Sequence, residues 1–86
     1  MTPEARARRC ADLMWANDQA SKWLGLRLDH VGPGEAALSL EVQPHHANGH
    51  GICHGGYIFT LADSAFAFAC NSFNRLAVAQ HNTISF

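Results

Sequence analysis

Between Asn48 and Asn71 the chain reads NGHGICHGGYIFTLADSAFAFACN, a loop rich in glycine and histidine that runs straight into a long apolar segment. From Tyr57 to Cys70 the apolar residues, among them Ile58, Phe59, Leu61, Phe66 and Phe68, fall on more than one side of a 3.6-residue period. That composition suits a helix enclosed by other structure rather than one lying on a surface. The spacing predicts a loop over residues 44–54 and a core helix over 55–72, around which the rest of the chain must be arranged.

The start of such a helix is chemically distinctive. Its first backbone N–H groups lack helical partners and carry partial positive charge, so they attract an anion or an oxygen that is gaining charge. Gly55 and Gly56 keep side chains out of the way at that point. Within the same helix stands one acid, Asp63. A carboxylate in a buried helix costs several kcal/mol unless it is paired, protonated or facing a cleft. Two explanations are open: a contact with Thr60 or Ser64, or service as a general base or nucleophile in a pocket.

Asp63 follows Gly56 by seven positions, which puts it on nearly the same helix face but about 10 Å further along the axis. One helix therefore cannot bring its own acid to its own N-terminus. Two such helices running antiparallel across a two-fold axis can, each lending Asp63 to the other's Gly55–Gly56 turn.

Elsewhere the chain supplies modest elements. Its 86 residues leave room for one small domain, and 48% hydrophobic with 15% charged content is globular. A net charge of −1 offers no basic surface for nucleic acid, and no stretch has the length of a membrane span or the pattern of a signal peptide. Thr2 and Pro3 open a helix over about Ala5 to Ala16, and Asn17–Asp18 caps a second, short one that stops at Gly25. Leu13, Met14, Trp23 and Leu24 are its docking residues, with Trp15 and Trp23 read as packing. Over 26–43, Leu26, Leu28 and His30 alternate with Arg27 and Asp29; Gly32–Pro33–Gly34 turns the chain; Leu38, Leu40 and Val42 alternate on the return. This is a hairpin with one buried face. A third strand is expected over 76–86, and three strands are too few to wrap the apolar helix, so the chain looks cut short.

His45, His46, His50, Cys53 and His54 crowd into ten residues and raise the alternative of a metal-binding module. Their spacing matches no common zinc pattern, and the interspersed glycines break the helix that would align them, so no metal and no cofactor are assigned. His45 and His46 are read as solvated loop residues. The three cysteines show no regular spacing, in keeping with a reducing, cytoplasmic compartment. Cys53 and His54 are sequence neighbours, a poor arrangement for nucleophile and base, and Ser64 lacks the G-x-S-x-G setting of a nucleophile elbow.

Asn48, the His54–Gly55–Gly56 run, the LADSAFAFACNS segment and the closing NTISF together resemble the hotdog-fold thioesterases of the phenylacetate-degradation (PaaI) type. The HGG run alone is moderately specific; an Asn six residues before His54 and an Asp nine after it make it strong. The resemblance covers nearly the whole chain and is weakest over the N-terminal helical region. It implies an α+β hotdog fold, an antiparallel sheet wrapped around a long central helix, incomplete at the C-terminus. Residues 1–86 would then be the first portion of a single domain: 1–25 helical, 26–43 hairpin, 44–54 active-site loop, 55–72 central helix, 76–86 strand.

The resemblance also implies a cytoplasmic acyl-CoA thioesterase of phenylacetate catabolism, acting on phenylacetyl-CoA or hydroxyphenylacetyl-CoA. It would work without a cofactor, as a homodimer or dimer of dimers with sites shared between subunits. The catalytic set carried over is Asp63, Gly55, Asn48 and His54, with Gly56, Tyr57 and Phe59 toward the substrate. Some relatives carry a serine on the strand after the helix; this chain has Ala79 thereabouts and departs from them. A non-catalytic acyl-CoA-binding domain or a dehydratase of the same fold is the competing reading. The position of Asp63 favours the thioesterase over the dehydratase.

Overall fold

The computed structural model describes residues 1–85. Helix α1 spans Pro3–Asn17, with the Ala5 N–H donating to the Thr2 hydroxyl at 3.0 Å and Pro3 in the first turn. Helix α2, Gln19–Leu24, is capped by Asp18, whose Oδ1 accepts from the Ser21 N–H at 2.9 Å. It ends at Gly25 with φ 87°, a left-handed conformation that glycine adopts at little steric cost.

Strands β1 (Arg27–Gly32) and β2 (Glu35–Ser39) pair antiparallel, from Arg27 opposite Ser39 to Gly32 opposite Glu35. The register slips between Leu28 and His30, leaving Asp29 as an extra residue. That bulge corrects the expected alternation: Leu26 is buried as anticipated, but past Asp29 the phase inverts, so Val31 turns inward and His30 outward. An unpaired residue in one strand shifts every later side chain to the opposite face. His30 lies beside the exposed Glu35, 2.9 Å away. The return strand also stops at Ser39, short of residues 40–43.

The core lies where α1 and the hairpin meet helix α3, which spans Gly55–Cys70. Ala7 and Ala11, one turn apart on α1, are buried with Val31 and Phe68, and Met14, Trp15, Leu28, Ala36 and Leu38 pack around them. Small residues on α1 let it approach closely, and the Trp15 and Phe68 rings sit 6.2 Å apart in a tilted pair. Leu13 and Trp23, expected to dock, are instead exposed: the inward face of α1 is the one that carries Ala7 and Ala11, and that of α2 the one that carries Ser21 and Leu24.

Two further expectations change. Helix α3 is not enclosed by this chain: Phe68 is 1% exposed, whereas Phe66 is 46% and Ile58 38%. Two strands and α1 cover one side of it. Nor do residues 76–85 form the third strand, since no described strand lies alongside to accept its hydrogen bonds. An amide side chain takes that place. Asn71 donates through Nδ2 to the Ala77 carbonyl (2.9 Å) and accepts the Ala77 N–H (2.8 Å), imitating one rung of a ladder. Ser72 likewise ties the end of α3 to the hairpin turn, accepting from the Gly34 N–H and donating to the Ala69 carbonyl, both at 2.7 Å.

Phe68 is the largest side chain of this core, so Phe68→Ala in the full-length protein should cost about 3–5 kcal/mol. Urea denaturation followed by circular dichroism measures it; a loss below about 1 kcal/mol, the level typical of partly exposed sites, would place the core elsewhere.

Candidate active site

The loop before α3 is held by its own polar groups. A single antiparallel bridge joins Ala47 to Cys53. Inside it the Asn48 N–H donates to the Ile52 carbonyl at 2.8 Å, and the Gly51 N–H to the Asn48 carbonyl at 3.0 Å. Gly51 has φ 78°, the conformation the turn requires there. The Asn48 side-chain oxygen accepts from the His50 N–H (2.9 Å) and more weakly from the Ile52 N–H (3.4 Å). Asn48 thus organises the loop with its oxygen, and its NH2 group meets no acceptor among the described residues.

His46, expected in solvent, is 1% exposed, which corrects the reading of the histidine cluster. Its Nδ1 accepts from the Gln43 N–H at 2.9 Å, so the ring proton sits on Nε2, which donates to the Leu24 carbonyl at 2.9 Å. Leu24 ends α2, and its carbonyl would otherwise be one of the orphans of a helix terminus. With both nitrogens engaged, His46 has no lone pair for a metal. Among the described residues no three His, Cys, Asp or Glu side chains gather as a metal site. A signal for this role was present in the sequence: three residues after Gln43, with Pro44 opening a turn, His46 occupies the position from which a capping-box side chain reaches back to a backbone N–H.

His54 is the N-cap of α3. Its Nδ1 accepts from the Gly56 N–H at 2.9 Å, and its own N–H donates to the His46 carbonyl at 2.8 Å. The Gly56 N–H is thus already committed to the cap. The Gly55 N–H, by contrast, meets no acceptor among the described residues. The capping bond also explains the second glycine. A Cβ at position 56 would lie 3.2 Å from His54 Nδ1, inside ordinary van der Waals contact.

Tyr57 stands away from the acid, its ring edge-on to His46 (centroids 5.6 Å apart) and tilted to His54 (5.8 Å). Asp63 is exposed within this chain, on the side of α3 that α1 and the hairpin leave bare. Neither expected hydroxyl partner engages it: Thr60 donates to the Gly56 carbonyl at 2.9 Å, and Ser64 lies 3.3 Å from Ser21. Because Ser21 donates to Asp18 Oδ2 at 2.6 Å, it is Ser64 that donates to Ser21. Asp63 borders two hollows. One, of about 280 Å³, is lined by Phe59, Phe66 and residues 82–84; the other, of about 410 Å³, by Met14, Asn71 and residues 76–79, including Ala79. Phe59 and Asp63 are thus brought together, while Gly55, His54 and Asn48 form a separate group at the start of α3.

The sequence profile of the thioesterase superfamily matches residues 50–86, from the loop through α3 to the end of the chain. The chain is 43% identical over 81 residues to the acyl-coenzyme A thioesterase PaaI of Escherichia coli, covering 94% of this chain and 58% of that protein. The solved structure of the E. coli PaaI protein superposes with a TM-score of 0.80 at 41% identity, over 83% of this chain and 51% of the other. A mutant of the phenylacetic acid degradation protein PaaI of Thermus thermophilus superposes at 0.63 with 47% identity, over 64% of this chain and 48% of the other. The chain thus matches the thioesterase superfamily from His50 onward and is similar to PaaI proteins along most of its length. Its hairpin laid along a long helix is part of the hotdog fold, and it is an α+β chain as expected. The chain spans about half the length of the curated relatives it matches, 58%, 51% and 42% of them. No helix among the described residues is long and apolar enough to cross a membrane.

Replacing a helical glycine by alanine ordinarily gains about 1 kcal/mol. At Gly56 the new methyl should push the imidazole off its cap, costing about as much again, so Gly56→Ala is expected to gain nothing. In a His54→Ala background, with the ring gone, the same substitution should stabilise. Thermal melts of the full-length wild type and the three variants test it, and equal effects in both backgrounds would remove the capping explanation.

Proposed function

We propose that the whole protein is an acyl-CoA thioesterase of phenylacetate catabolism, hydrolysing an aryl-acyl-CoA such as phenylacetyl-CoA or hydroxyphenylacetyl-CoA. The observation that carries this is the division of labour at the start of α3, where the His54 cap takes the Gly56 N–H and leaves that of Gly55 for a ligand. A thioester carbonyl oxygen placed there gains negative charge as the carbon is attacked. A donor of this kind is worth about 3 kcal/mol in the transition state, and the helix terminus adds to it. Similarity to an acyl-coenzyme A thioesterase along 94% of this chain supports the substrate class.

Asp63 supplies the second half of the reaction. As general base it takes a proton from water while the oxygen bonds to the carbonyl carbon; the tetrahedral intermediate then expels the CoA thiolate and leaves the free acid. As nucleophile its carboxylate attacks directly and water cleaves the resulting anhydride. Both routes need the acid near a Gly55 donor, and along one helix the two are about 12 Å apart. The reading therefore includes a homodimer, or a dimer of dimers, in which Asp63 of one protomer faces the Gly55 turn of the other. The bare side of α3 that carries Asp63, Phe59 and Phe66 is the surface available for such pairing. Phe59 is assigned to the acyl group, Asn48 to positioning through its free amide, His54 to holding the loop, and Gly56 and Tyr57 to shaping the entrance. Residues 44–54 are the active-site loop and 55–72 the central helix of a single domain that begins with 1–25 and the 26–43 hairpin; in the whole protein 76–86 would pair as a strand. Three unpaired cysteines favour a cytoplasmic setting.

The test uses two full-length variants. Asp63→Asn removes the base or nucleophile. Gly55→Pro removes the donor with little backbone change, since proline suits the first turn of a helix and His54, at φ −61° and ψ 132°, already has the conformation preferred before proline. Each should fold and lose about 100-fold or more in kcat on phenylacetyl-CoA. After subunit exchange the mixture should recover up to about a quarter of wild-type sites, because half the dimers are mixed and each rebuilds one site of two. Near-normal turnover by folded Asp63→Asn would sink the assignment; no recovery by proven mixed dimers would mean acid and donor come from one chain.

A further inference from the structure

We propose that His46 is a positioning residue for the Gly55 donor, acting through the loop and not on the substrate; this rests on the thioesterase reading above. His46 is buried and all four of its polar groups are used: its N–H donates to the Gln43 carbonyl (2.9 Å), and the other three reach different parts of the chain. Its Nδ1 accepts from the Gln43 N–H (2.9 Å), its Nε2 donates to the Leu24 carbonyl at the end of α2 (2.9 Å), and its carbonyl accepts from the His54 N–H (2.8 Å). His54 in turn caps α3 through the Gly56 N–H, one residue beyond the donor. Helix α2 is itself fastened to the middle of α3, through the Ser64 hydroxyl donating to Ser21, which donates to Asp18. Leu24 is therefore a fixed point relative to α3, and His46 is the strut from that point to the turn where α3 begins. The edge of Tyr57, in the first turn of α3, meets the same imidazole at a centroid distance of 5.6 Å. Removing the strut leaves the glycine-rich loop attached by the Ala47–Cys53 bridge and the Asn48 turn, which are internal to the loop and do not tie it to α2.

Two conservative replacements divide the imidazole's roles. Asparagine places an acceptor near the position of Nδ1, and glutamine a donor near that of Nε2. In the full-length protein His46→Asn and His46→Gln should each lower kcat on phenylacetyl-CoA by about 10-fold or more, with KM within about 3-fold, because the lost geometry concerns the transition-state oxygen. The same substitutions in a Gly55→Pro background should change kcat by less than about 2-fold, since the donor they position is already gone. A merely structural role would lower both backgrounds alike, and that outcome overturns the proposal, as does full kcat in the single variants. Should neither variant melt cooperatively, Gln43→Pro, which deletes the N–H donated to Nδ1 together with the Gln43 side chain, enters the same cycle under the same criteria, with Gln43→Ala as the control for that side chain. Failure of the underlying reading has a different signature: wild-type protein that hydrolyses no acyl-CoA, or Gly55→Pro with wild-type turnover.

Discussion

The bond from the Gly56 N–H to His54 Nδ1 sets the chemistry of the whole N-terminal turn of α3. It satisfies one of the donors that a helix start leaves without partners and places the ring proton of the neutral imidazole on Nε2. It folds the ring back over position 56, so that a side chain there would crowd it, which is why a glycine follows the first one. By taking one N–H it also makes the adjacent N–H of Gly55 the available donor at the positive end of the helix. One capping interaction thereby accounts for three consecutive residues of the chain.

A second asymmetry runs along the helix. Phe68 anchors α3 against Val31, Ala7 and Ala11, while Phe59, Phe66 and Asp63 face away from that core and line a hollow of their own. An apolar circumference therefore serves two purposes: one side holds the helix to its hairpin, and the other is an apolar setting for a single carboxylate. The cost of placing that carboxylate in an apolar wall rises steeply as water is excluded. Within this chain Asp63 stays exposed, and that cost is incurred only when the opposite wall is supplied, in the arrangement proposed above by a second protomer.

Much of this was legible in the residues because it is local. The Thr2, Asp18 and Gly25 signals act within three or four positions, and the structure places caps and stop where those side chains sit. The loop followed by an apolar helix, and the separation of Asp63 from Gly55 along it, follow from the 1.5 Å rise of any α-helix. What escaped depends on partners distant in sequence or on a broken period. Nothing local marks Asp29 as a bulge, so His30 and Val31 exchange faces unannounced. The strand expected over 76–86 fits its alternation, but a strand exists only by pairing, and here the Asn71 amide supplies just one rung. His46 was read with its histidine neighbours because proximity in sequence suggested a cluster; its actual partners, Leu24 and Gln43, lie on opposite sides of the hairpin in the chain order.

The glycines and histidines of the loop then form one physical problem and its solution. Gly49, Gly51, Gly55 and Gly56 give the backbone freedom to turn tightly and to let a ligand approach, and each glycine loses more conformational entropy on ordering than another residue would. An oxyanion donor stabilises a transition state only if it already points at the oxygen, because reorienting it during the reaction would return the advantage. A glycine loop alone cannot provide that. The ordering must come from side chains that bond to backbone groups, and the loop carries three of them: Asn48 across the turn, His46 to α2 and His54 onto α3. Imidazole suits the last two positions because one ring offers an acceptor and a donor on opposite edges without bringing in a fixed charge: the His46 ring uses both on backbone groups, and the His54 ring uses its Nδ1 on the Gly56 N–H. A concentration of histidine beside glycine, which first suggests a metal, is on this account the bracing that a mobile backbone needs before its N–H groups can act on a substrate.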